Sequence, residues 1–224
     1  DSSVTGVQTC ALPICFGHAE CAQMLIDAKA DITITHKDEN ETTLHFAAGY
    51  DQPACTQVLI DAKADMHAVN DEGNTALHTA ATLGRTDCAQ ILLRAKADIS
   101  IKNREGNTAL FLALLYGQTA FAQMLLNAKA DVNARHKDGE TPLRFAAQKG
   151  NTQFAKMFIE AKANIDAADR YKNTALMLAA RTGHAACTQT LIDAKADVHA
   201  VNKQGCNALM LASCSRQKDC VNVL

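Results

Sequence analysis

Tryptophan is absent from this chain, proline occurs three times, and phenylalanine, tryptophan and tyrosine together supply only 4% of its residues. A compact sandwich or α/β enzyme of 224 residues usually buries more rings, so interiors of that kind are excluded first. Long apolar runs are also missing. The longest, ALFLALLY at Ala109–Tyr116, falls far short of the roughly 20 residues that cross a bilayer, so no membrane insertion is expected. No basic stretch precedes an apolar one at the start, so no secretory leader is expected. The net charge of −2 sets up no bulk field for nucleic acid.

Catalytic signatures are missing as well. There is no G-x-S-x-G, P-loop, G-x-G-x-x-G or H-E-x-x-H, so no enzyme, no cofactor and no small-molecule ligand is expected. The sequon Asn40-Glu41-Thr42 is a chance match without a secretory route. Nine cysteines contain no C-x-x-C pair, which leaves a zinc site without its usual spacing.

What the chain does have is repetition. TTLHFAAGYD begins at Thr42, TALHTAATLG at Thr75, TALFLALLYG at Thr108, TPLRFAAQKG at Thr141, TALMLAARTG at Thr174 and NALMLASCSR at Asn207. The step is 33 residues, and LIDAKAD-like phrases keep it too. One extra residue falls in HKDENET (His36–Thr42), which must be a loop because a helix would lose its apolar register. Within one unit, Thr75 can cap a first helix whose Leu77, Ala80 and Ala81 form a stripe ending at Gly84. Cys88, Ile91, Leu92 and Ala95 give a second helix with one buried face. Asp65–Asn74 then reads as an extended arm and turn, with Gly73 suited to positive φ.

The T-x-L-H-x-A phrases at this step resemble the ankyrin repeat family over residues 15–224. The resemblance implies an all-α solenoid of stacked helix-turn-helix units with hairpin-like loops. It divides the chain into a partial unit at 15–36, full units at 37–70, 71–103, 104–136, 137–169 and 170–202, and a truncated unit at 203–224. Residues 8–17 read QTCALPICFG, and Pro13 in a first helix would cost about 3 kcal/mol. Residues 4–14 also look like a translated sequencing adapter. Residues 1–14 are therefore read as a non-native tail, and the rest as a fragment of a longer protein.

Cys21, Cys55, Cys88, Cys187 and Cys220 recur at one second-helix place, which holds Phe121 and Phe154 in two other units. A place that accepts either residue is a buried apolar slot. Unpaired thiols suit a reducing, intracellular setting, the cytoplasm first and the nucleus second. His45 and His78 complete T-x-L-H, where Phe111, Arg144, Met177 and Met210 stand later. The resemblance implies that this His ties successive units, hence weaker ties toward the C-terminus. Where the family usually has Gly after the second helix, Lys29, Lys63, Lys96, Lys129, Lys162 and Lys195 stand. A left-handed Lys would cost on the order of 1–2 kcal/mol. Such a row is either a solvated edge paired with the following acid or a cationic rail for an acidic partner.

The resemblance places partner contacts on turn tips and on the outer side of first helices. The candidates are Tyr50, Asp71, Glu72, Asn74, Leu83, Arg104, Asn107, Leu115, Tyr116, Lys137, Lys149, Arg170, Tyr171 and Arg181. Around them, acids such as Asp38, Glu39 and Glu41 crowd the early units, and bases such as Lys172 and Lys203 crowd the late ones. The expectation is a dipolar groove with Tyr116 as aromatic anchor, serving a non-catalytic scaffold for an unknown protein partner. The alternative is the recognition arm of a larger enzyme (a kinase or ubiquitin ligase) or of a channel.

Overall fold

The computed structural model describes residues 14, 16–36, 38–137 and 139–224, so most of the excluded N-terminal segment lies outside the described residues. Ile14 is described and is 2% exposed. The chain forms two compact units, residues 1–130 and 131–224.

In the first unit, α1 (Ala19–Asp27) precedes the hairpins α2/α3 (Thr43–Gly49, Pro53–Asp61), α4/α5 (Ala76–Leu83, Thr86–Arg94) and α6/α7 (Ala109–Leu115, Thr119–Asn127). The first helices pack in the order α2, α4, α6, and the second helices in the order α1, α3, α5, α7. The second unit repeats the plan with α8/α9 (Pro142–Gln148, Thr152–Glu160), α10/α11 (Ala175–Thr182, Ala185–Asp193) and α12/α13 (Ala208–Cys214, Lys218–Val223). There α10 packs between α8 and α12, and α11 between α9 and α13. Among the described residues the only β-type pairing is an isolated bridge between Thr35 and Thr42. The all-α repeat architecture is therefore as the period demands.

Small residues make this stacking possible. Ala47, Ala80, Ala113, Ala146, Ala179 and Ala212 recur at the repeat step and are each 0% exposed. Each first helix opens at a residue in extended backbone, Thr in five cases and Asn207 in the last. The Thr108 and Thr174 hydroxyls accept hydrogen bonds from the Phe111 and Met177 amides at 3.3 and 3.4 Å. Gly84 closes α4 in left-handed backbone at φ 70°.

The cysteine slot points at the preceding hairpin. Cys88 Sγ accepts from the Thr56 hydroxyl at 3.3 Å and lies 3.5 Å from the Ala47 carbonyl. Cys55, Cys88, Cys187 and Cys220 are 0% exposed, and Phe121 and Phe154 are 1% exposed. Cys21 departs from the expected burial and is exposed. Among the described residues no hairpin precedes α1; Ile14 stands beside Ala22, Leu25 and Ile26 and is buried, while Cys21 stays exposed.

All six lysines after the second helices are left-handed, with φ from 62° to 69°. Each ends its helix with a six-to-one bond, such as Ala97 N–H to the Leu92 carbonyl at 2.9 Å. The strain at Lys is thus held in place by two main-chain bonds per helix end. The following acid does not pair with the ammonium among the described residues. It caps its own turn at the surface instead: Asp98 Oδ1 accepts from the Ser100 amide at 2.8 Å, and Asp65 Oδ1 from the His67 amide at 2.8 Å.

Candidate functional site

The loops before the first helices are built on one recurring side chain. Asn70 Oδ1 accepts from the Glu72 and Asn74 amides at 3.0 and 2.9 Å. Asn103 treats Glu105 and Asn107 in the same way at 3.1 and 2.9 Å. Asp169 and Asn202 hold the corresponding loops of the second unit. Each loop then closes on itself, Asn70 N–H to Asn74 O and Asn103 N–H to Asn107 O, both at 2.9 Å. In the loop with the extra residue the closure runs from His36 to Glu41, one position longer, so the insertion is absorbed there.

Neighbouring loops are joined by main chain. The Asp71 amide donates to the Glu39 carbonyl and the Arg104 amide to the Glu72 carbonyl, each at 3.0 Å. Lys203 donates to the Tyr171 carbonyl at 2.9 Å in the second unit. Gly73, at φ 77°, is needed twice over, because a Cβ there would stand 2.8 Å from the Arg104 nitrogen.

The histidines fasten helices to loops. His78 Nδ1 accepts from the Thr75 amide at 3.2 Å, and Nε2 lies 3.2 Å from the Asn107 carbonyl. A main-chain N–H can only donate and a carbonyl only accept, so the ring is neutral and protonated at Nε2. His45 does the same between Thr42 and the Asn74 carbonyl. Burial pushes His78 down to about 4, against the pull of its carbonyl partner. The expected loosening toward the C-terminus is not uniform. Arg144 takes the histidine's place and reaches the next loop through Nη2, 2.9 Å from Asp169 Oδ2. Its side chain is 5% exposed, and among the described residues Nε and Nη1 have no hydrogen-bond partner.

Two adjoining clefts of the first unit gather most of the early candidates. One, of about 560 Å³, is lined by Asp71, Glu72, Leu83, Arg104, Leu115 and Tyr116 among others. The second, of about 570 Å³, adds Tyr50, Asp38 and Arg85 and shares Glu39, Glu41, Thr79 and Leu83 with the first. Tyr50 is 57% exposed, Leu83 45%, Leu115 44% and Tyr116 55%, so the recess presents four large apolar side chains to solvent. Six acids (Asp38, Glu39, Glu41, Asp71, Glu72 and Glu105) face two arginines there, a net charge of −4 with histidines neutral. Among the described residues none of these acids pairs with a lysine or arginine; Asp38 lies 3.9 Å from His36. Burial, then the Glu39 charge, pushes the Glu41 carboxyl above its ordinary value, with Glu72 adding to the effect.

Of the expected contacts, Asn74 lines the first cleft though largely buried, while Asn107 is not in its lining. They are 8% and 1% exposed, and their amides brace the loop acids from behind. Asn74 Nδ2 donates to Glu72 Oε2 at 2.8 Å, and Asn107 Nδ2 to Glu105 Oε2 at 3.2 Å. Asn103 and Thr79 line the first cleft without having been among the candidates; Asn103's recurrence with Asn70 and Asn202 at the repeat step was the available signal.

In the second unit Lys137, Lys149, Arg170, Tyr171 and Arg181 are all exposed. The Arg170 guanidinium lies 4.9 Å from the Tyr171 ring centre, and Lys149 Nζ 5.5 Å from that of Phe145. Acids flank the lysine row. Asp27, Asp61, Glu160 and Asp193 stand two positions before four of the lysines, and Asp31, Asp65, Asp98, Asp131 and Asp197 two positions after five, so acids outnumber the row. Among the described residues no group of three or more His, Cys, Asp or Glu could hold a metal ion, and no helix is long and apolar enough to cross a membrane.

Short helical hairpins set side by side, with loops joined through main-chain bonds, define a helical-repeat protein. A family model of three ankyrin repeats matches residues 10–103, 44–136, 95–169, 130–202 and 163–224, and the chain belongs to the ankyrin repeat family. It is similar to the crystal structure of the ankyrin repeat domain of Bcl-3, a member of the IkappaB protein family. The TM-score is 0.88 at 24% identity, over 96% of each chain. No curated protein matches the chain. Ankyrin repeats are in general protein-interaction modules.

Proposed function

We propose that this chain is a non-catalytic module that captures a partner protein in the joined clefts of its first unit. The observation that carries the reading is the recess itself, where Tyr50, Leu83, Leu115 and Tyr116 stand exposed along two clefts that share Leu83. Monomers seldom leave such apolar groups in a concave surface, and aromatic anchors in recessed centres dominate interface energies. The loop bonds described above fix this surface before binding, which lowers the ordering cost of association. The free, buried thiols suit a reducing compartment within the cell.

The test is affinity capture with the whole chain and with the double variant Leu115→Asp/Tyr116→Asp. Both side chains are about half exposed, so far-UV circular dichroism should be unchanged while specific capture is lost. Undiminished capture by the variant would move the binding surface elsewhere.

A further inference from the structure

We infer that the first-unit cleft recognises a partner segment in which lysine or arginine side chains flank an apolar anchor residue. The inference rests on the protein-binding reading above and names the chemistry of what binds.

The charge of the recess is the starting point. Its six acids meet two arginines, and neither arginine relieves them. Arg85 Nε donates to the Gly49 carbonyl at 3.2 Å, and Arg104 forms no ion pair among the described residues. Glu72 and Glu105 are held in place by the Asn74 and Asn107 amides. Those amides satisfy part of each carboxylate's hydrogen bonding but cancel none of its charge. The acids line the same joined recess, and at Glu41 the Glu39 and Glu72 charges act against its own, a repulsion that a bound cation would relieve. A carboxylate cluster beside a low-dielectric wall also focuses its field, raising the encounter rate of cationic partners.

The apolar part sets the second half of the specificity. Leu83 lines both clefts, with Tyr50 in one and Leu115 and Tyr116 in the other. An apolar partner residue can be buried among them while basic neighbours reach the acids of the loop tips. Tyrosine faces further favour guanidinium or ammonium groups. An acidic or neutral segment would leave the carboxylates desolvated and unpaired, a penalty that excludes it.

The experiment is selection of a random-peptide display library on the immobilised whole chain, with the enriched peptides resynthesised and titrated. Peptides enriched in Lys and Arg around a Leu, Ile or aromatic residue are expected. Their affinity should fall at least about tenfold on Glu39→Lys/Asp71→Lys, and steeply between about 0.05 and 0.3 M salt. Glu39 and Asp71 are exposed, so this variant should stay folded, which its circular dichroism verifies. Acidic or neutral peptides that are lost on Leu115→Asp/Tyr116→Asp would overturn the basic-partner inference and leave the binding site standing. Peptides indifferent to that second variant would overturn the site as well, as would no enrichment at all. Self-association of the chain that disappears with Glu39→Lys/Asp71→Lys would make a second copy the occupant and overturn the inference.

Discussion

His78 shows how much one side chain can do inside a repeat. It receives one main-chain hydrogen, gives its own to the next loop, and is 2% exposed while doing so. Protonation would put a second hydrogen on Nδ1, against the Thr75 amide, in a site that disfavours charge. The ring titrates near 6.5 when free and about 4 when folded, so between those values the unfolded chain binds more protons. Stability is therefore full above pH 6.5 and drains as pH falls toward about 4. The urea midpoint should drop over that window, and His78→Met, a residue the chain uses at positions 177 and 210, should flatten the slope. An unchanged slope would mean that the ring is not the titrating group. The left-handed lysines teach the complementary lesson. A backbone conformation that favours glycine is imposed on lysine by the two main-chain bonds that end each second helix.

At the level of helix and loop, the part-buried Arg144–Asp169 pair links α8 to the loop before α10. Asp169 has two duties: its Oδ1 holds the loop amides and its Oδ2 faces the guanidinium. Burial would raise its carboxyl, but the Asn173 amide hydrogens and the Arg144 charge bring it below the ordinary value. Other loops perform the first duty with Asn70, Asn103 and Asn202, so Asp169→Asn should keep the loop and strip Arg144 of its hydrogen-bonded counter-charge, leaving only the weaker influence of Glu140. A loss of up to about 3 kcal/mol is expected, since a buried charge without its bonded partner is the costly product. Arg144→Met/Asp169→Asn, which reproduces the Met177 and Asn202 combination, should recover most of it in equilibrium unfolding. If the double variant is no more stable than Asp169→Asn, the pair is not the source of the loss. Hairpins, caps, the loop insertion and the Gly73 turn were all legible, because periodicity and φ preference are local. The arginine tie was not, because it depends on which residue the following loop presents.

For the molecule as a whole, burial follows from what stands next in the stack. Cys21 and Cys55 share a register, yet one is exposed and the other has no accessible surface. Sequence position gave the slot, while only the preceding hairpin decides whether it is covered. Maleimide labelling read by peptide mapping should therefore modify Cys21 and Cys214 quickly in the native protein. Cys55, Cys88, Cys187 and Cys220 should react only on unfolding. Burial also lifts the Cys88 and Cys187 thiols to about 11, which removes the reactive thiolate. Prompt native labelling of Cys88 would contradict the stacking. The exposed tyrosines and leucines were legible in the sequence, but the burial of Asn74 and Asn107 was not, because spacing alone does not assign a turn side chain inward or outward. The loops hang on one another through peptide groups and inward-facing amides, so the fingertip residues carry little architectural duty. Natural variation can exchange them one at a time and change what the protein captures, while the scaffold beneath folds as before.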